Sequence, residues 1–174
     1  ARQESIGKGN DGGTGEKFQD LYEAVVDKKG KWSSPKPLLE PINSSANDGS
    51  AAMDSKGSDM FFTRCPMEKG KMGSCEIYYT KRKGQTWDEP KLIPLNADSA
   101  TVGQPSLSAD EMTLYFVSDM DGGQGGKDIW ITSFDKKSKE WGTPVNLGNK
   151  INTPEDDMFP YITSDNTLYF SSKG

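Results

Sequence analysis

The sequence contains no histidine. That absence removes the Ser-His and Cys-His nucleophile pairs, the His-based zinc sites and the commonest general base. Positive charge is not in surplus either: 21 Lys and Arg stand against 26 Asp and Glu in 174 residues, a net charge of −5, with a pI near 4.9. A nucleic-acid binder needs a concentrated basic surface, and scattered lysines do not supply one. No run approaches the roughly 18 apolar residues of a membrane-spanning helix, and no charged-then-apolar signal pattern follows Ala1. A chain opening on Ala rather than Met is expected to be processed or cut from a longer protein. The 32% hydrophobic fraction rises to roughly 43% with the 19 glycines, just under the globular norm of about 45–50%, which implies a thin core. Gly and Pro together (19 + 10) make about 17%, too little for a low-complexity chain and well suited to short strands and turns.

What the chain does have is an internal repeat. Trp32-x-x-Pro35, Trp87-x-x-Pro90 and Trp141-x-x-Pro144 recur at spacings of 55 and 54. An acid-aliphatic-aromatic triplet recurs at 20–22 (DLY), 76–78 (EIY) and 128–130 (DIW). Aromatic runs end at Phe62, Phe116 and Phe170, and aliphatic-Asn pairs stand at Ile42-Asn43, Leu95-Asn96 and Ile151-Asn152. Segments such as DMFFTR, TLYFVS and DIWITSF are short, rich in β-branched and aromatic residues, and bounded by Gly, Pro, Asp and Ser, so each unit reads as strands. Four strands in about 54 residues, repeated, predict an all-β β-propeller built of four-stranded antiparallel blades, with a solenoid of hairpins as the alternative. The expected division is a leading loop over 1–19, an outer half blade over 20–50, blades over 51–104 and 105–158, and an inner half blade over 159–174. Only about three repeats are present, so a partial propeller or fragment is expected. The rest of the ring would lie in a longer protein, or two copies would self-associate into a six-bladed ring.

The runs from Leu114 to Trp130 (LYFVSDMDGGQGGKDIW) and from Trp141 to Gly174 resemble the WD40-like, TolB-type propeller repeat. The form they resemble is that of the multidomain OmpA-family outer-membrane lipoproteins of Bacteroidetes, including PorE-like type IX secretion components. The resemblance implies a non-enzymatic scaffold, periplasmic and outer-membrane-associated, that docks other protein components of an envelope or secretion complex. It implies no cofactor, no nucleic acid and no membrane insertion by this segment. Any peptidoglycan association would run through an OmpA-like domain that has no counterpart in these residues.

Several residues are candidates for specific roles. Aligning the units puts Cys65 opposite Asp119 and Cys75 opposite Lys127, at neighbouring ends of a hairpin, where a structural disulfide is expected and would suit an oxidising compartment. Trp32, Trp87 and Trp141, with Phe62, Phe116 and Phe170, are expected to pack between blades. The Gly-Asp loops at 10–15 and 119–126 read as turns needing positive φ rather than as cation or phosphate cradles. Thr80 to Trp87 approximates the Asp-box turn of sialidase-like propellers, with Arg82 at the acidic position. Asp156 and Asp157 with Tyr161 form a candidate ligand or partner loop beside an inner strand. The alternative is a glycan-binding or glycan-cleaving propeller that uses these channel carboxylates, cleavage requiring two carboxylates facing one bond; the expected metal and catalytic sets are empty.

Overall fold

A computed structural model describes residues 19–68, 71–95 and 100–174. The leading segment 1–18, with its 10–15 loop, and Asn96 lie outside them. Among the described residues there is no helix, and the strands form antiparallel sheets in succession. The first pairs β1 (Tyr22–Glu23) with β2 (Lys36–Pro37). The second runs β3 (Asn47–Met53), β4 (Asp59–Cys65), then, beyond the small hairpin β5 (Met67–Glu68) and β6 (Lys71–Met72), β7 (Glu76–Lys83), which carries β8 (Thr86–Trp87) and β9 (Lys91–Leu92). The third repeats this with β10 (Val102–Leu107), β11 (Thr113–Ser118) and β12 (Asp128–Asp135), which carries β13 (Glu140–Trp141) and β14 (Val145–Asn146). The fourth pairs β15 (Asp157–Ile162) with β16 (Leu168–Ser172). Equivalent pairs share one register: Phe62 faces Tyr78 as Phe116 faces Trp130.

The expected unit boundaries at 50/51, 104/105 and 158/159 each fall inside a strand, β3, β10 and β15. Each of these inner strands opens several residues earlier and kinks at a bulge whose central residue, Ser50, Gln104 or Phe159, has positive φ. A bulge places an extra residue on one strand and interrupts the alternation that marks a strand in sequence. The outer strand expected after each Trp is split in two. Thr80 Oγ1 donates to the Asp88 carbonyl and Thr132 Oγ1 to the Gly142 carbonyl, both at 2.7 Å, and Pro90 or Pro144 follows in the break. Proline has no N–H to give a ladder, so pairing stops there and resumes at β9 or β14.

The core lies between sheets. Because alternate side chains leave a strand on opposite faces, Met60 and Phe62 join Ile42, Leu21 and Leu38 of the preceding segment, whereas Phe61 and Ile77 join Val102, Leu114, Phe116 and Trp130 of the following sheet. Two recurrent devices fix the spacing. Asn43 and Asn152 are buried and act as one-residue strands: Leu21 N–H donates to Asn43 Oδ1 (2.8 Å) and Asn43 Nδ2 to the Leu21 carbonyl (2.9 Å), and Asn152 does the same to Ile129 at 2.8 and 2.9 Å. At each seam the start of an inner strand donates to a carbonyl just before the preceding triplet: Asp48 to Gln19 (2.9 Å), Val102 to Cys75 (2.8 Å), Asp157 to Lys127 (2.7 Å).

Candidate functional site

A cleft of about 710 Å³ opens between the second and third sheets. Its walls are aromatic because the alternation of β4 and β7 turns Phe61 and Tyr79 toward the third sheet, while β12 and β13 turn Phe134 and Trp141 toward the second. Phe61 and Tyr79 stack at 5.2 Å between centroids, Trp141 meets Phe61 edge-on at 5.6 Å, and Phe134 lies 5.2 Å from Trp141. Charges of both signs rim the cleft, among them Asp59, Glu140, Lys136 and Lys139. Tyr79 OH donates to Asp59 Oδ1 at 3.0 Å, and burial followed by that bond pushes the phenol up to about 12. Three rim acids are committed to local structure. Asp54 accepts from Ser58 and Asp59 N–H, bonds that outweigh burial and hold its carboxyl below the usual range; Asp110 caps Ser108 and Met112; Glu111 accepts from Ser55 across the seam. The cleft thus presents an apolar, aromatic wall with cationic and anionic groups on its rim.

The expected loop of Asp156, Asp157 and Tyr161 is not brought together as a site. Asp157 is fully buried, and its Oδ2 accepts from Thr153 N–H and Oγ1. Asp156 points the other way: Oδ1 accepts from Lys127 N–H and Oδ2 pairs with Lys173 Nζ at 2.7 Å, contacts that lower its carboxyl, chiefly through Lys173. Tyr161 is 64% exposed beside a smaller groove of about 380 Å³ along the inner strands, with Gln104 and Phe159. The two neighbouring carboxylates thus do not face one bond, the arrangement a glycosidase needs. A repeat signal for this existed in the sequence: Ser44 and Asp48 have the spacing of Thr153 and Asp157, and Asp48 makes the same bonds to Ser44.

Cys65 and Cys75 form a disulfide, closing the β5–β6 hairpin. Trp141 and Trp87 pack at seams as expected, Trp87 against the Ile42, Met60 and Phe62 cluster with Arg82 5.5 Å above its ring. Phe62 and Phe116 are fully buried. Trp32 departs from the expectation. It bridges Val26 and is 66% exposed, because by the repeat it lies on the side of the first sheet away from the second. Phe170 also departs, at 37% exposed, since no third strand pairs with β16 among the described residues. The 119–126 loop is a turn, but only Gly122 has positive φ (89°). Gly123, Gly125 and Gly126 are needed for close approach: a Cβ would meet the Asp128 carboxylate, the Pro154 backbone or the Asp156 carboxylate at 2.5 Å or less. The phosphate or cation cradle weighed for this loop is not formed. Asp119 Oδ1 instead accepts from Thr101 N–H, and the Gln124 N–H closes onto Asp128 Oδ2.

No family model and no curated protein matches the chain. Among solved structures it is similar to a luciferin-regenerating enzyme, at 11% identity and a TM-score of 0.50, over 87% of this chain and 48% of that one. The chain thus spans about half the length of that protein, and at such identity the likeness extends to its all-β, propeller-like fold alone.

Proposed function

We propose that the successive sheets are blades of a β-propeller, two whole and two half, and that the module is a non-enzymatic docking scaffold for other proteins. The observation that carries this reading is the constant seam: three successive junctions use the same backbone link, a regular step from sheet to sheet such as a ring requires. Rigid sheets of this kind hold clefts and loops in fixed positions, and the aromatic cleft offers an anchor pocket with a polar rim, the anatomy of a protein-binding hot spot. The proposed setting is the periplasm, in an outer-membrane-associated assembly of type IX secretion kind; the resemblance to TolB-type repeats supports it, and the disulfide suits an oxidising compartment.

The test pairs binding with turnover. Immobilised wild-type chain should retain envelope proteins that a Phe134→Glu variant loses, and neither should convert a panel of glycans or peptidoglycan fragments. Turnover abolished by Asp156→Asn would replace the scaffold with an enzyme, and retention of bare sacculi would replace it with a glycan binder.

A further inference from the structure

At the first seam a buried acid is paired with an arginine, and at the last seam its equivalent is not. Asp48 and Asp157 are equivalent, both fully buried, and both spend Oδ2 on a hydroxyl and an N–H four residues earlier. At the first seam Arg64 neutralises the other oxygen: its Nε lies 2.6 Å from Asp48 Oδ1, and its Nη2 donates to the carbonyls of Pro41 (3.2 Å) and Ile42 (2.7 Å). Register places Arg64 opposite Asp48, and Ser172 opposite Asp157. The third sheet has Val102 opposite Ser118, losing acid and base together. Among the described residues only the fourth sheet keeps the acid without the base. Among the described residues no group donates to Asp157 Oδ1, and Asp128 Oδ1, at the same seam, is likewise buried without a donor. Asp128 follows Lys127, whose carbonyl accepts the Asp157 N–H.

A buried carboxylate oxygen with neither donor nor counter-charge is strongly unfavourable, whereas a positive ion beside it restores the balance Arg64 provides at the first seam. We propose that this seam binds a calcium-class divalent cation, with Asp157 Oδ1 as ligand, in the place that the Arg64 guanidinium takes against Asp48. The carbonyls of Lys150 and Ile151, at the repeat positions of Pro41 and Ile42, are the matching oxygen donors, and Asp128 adds a second carboxylate to the seam. No cluster of three acidic or cysteine side chains suited to a metal exists among the described residues, so main-chain carbonyls and solvent complete the shell, as they commonly do for calcium.

The test uses the intact, disulfide-bonded chain, stripped with chelator and titrated with CaCl₂, with MgCl₂ and NaCl as comparisons. Calcium at a hundredfold excess over its Kd should raise the wild-type melting temperature by roughly 5–10 °C, with about one ion bound by calorimetry. Ser172→Arg should raise the melting temperature in chelator and abolish the calcium response, and Asp157→Asn should abolish binding. If Asp157→Asn does not fold, wild type and Ser172→Arg decide alone. No calcium shift in wild type, or an undiminished shift in Ser172→Arg, overturns the site.

Discussion

The Cys75 carbonyl accepts the Val102 N–H at 2.8 Å, so the disulfide that ties Cys75 to Cys65 also sets the point where the third sheet starts. The crosslink acts on a seam as well as on a hairpin, and its removal should be felt in both.

Replacing both cysteines by serine closes no loop in the unfolded chain and should cost about 2–3 kcal/mol, the entropy of a loop of this size. Urea unfolding with and without reductant measures it. The wild type in reductant should match the double variant, and equal midpoints for oxidised and reduced protein would show that the crosslink does not hold the seam.

Asn152→Ala strips partners from both the N–H and the carbonyl side of Ile129, inside a buried seam. The buried Ile129 N–H loses its acceptor, while the carbonyl keeps the Leu147 N–H at 3.2 Å, so the change should cost about 1–3 kcal/mol. Hydrogen exchange at the Ile129 amide should accelerate more than at Leu114, which lies one strand away.

Tyr79 should titrate near 12 by ultraviolet absorbance, against 10 for an ordinary phenol. Asp59→Asn should bring it down only part of the way, because burial, the larger cause, remains. With a folded value above the unfolded one, this group's contribution to stability is intact below pH 10 and is lost as pH rises toward 12. A Tyr79 titration at 10 would mean that the cleft wall is open to water.

Two of the four tryptophans should separate in a stability series. Trp141→Ala removes the edge-on contact with Phe61 and should cost about 2–4 kcal/mol. Trp32→Ala, at an exposed position, should stay within about 0.5 kcal/mol. Iodide should quench Trp32 emission preferentially.

Much of this was legible before any coordinates, since each repeat marker has a physical task. The aromatic runs bury Phe62 and Phe116, Asn43 and Asn152 clamp a neighbouring strand, Trp87 and Trp141 wedge seams, and the two cysteines meet. What could not be read lies where local pattern and tertiary demand diverge. The inner strands open on polar residues such as Asn47 and Asp48, whose side chains are consumed by turns and seams, and then kink at Ser50, Gln104 and Phe159. Asp157 looked like a loop acid because adjacency to Asp156 says nothing about direction. Its alignment with Asp48 was the only signal that it points inward. The aromatic cleft was invisible for a related reason: its four rings come from two sheets, and no spacing along the chain records which faces will meet.

Two seams have an apolar layer of their own, all three have a backbone link and, among the described residues, two have an asparagine clamp, with no continuous ladder crossing from sheet to sheet. Cohesion is therefore granular. A sheet flanked on both sides is held twice, and one flanked on a single side is held once, so loosening should begin at the outermost unit and advance inward one step at a time. The same granularity lets evolution edit one junction, exchanging an arginine for a serine, without disturbing the grip of the next.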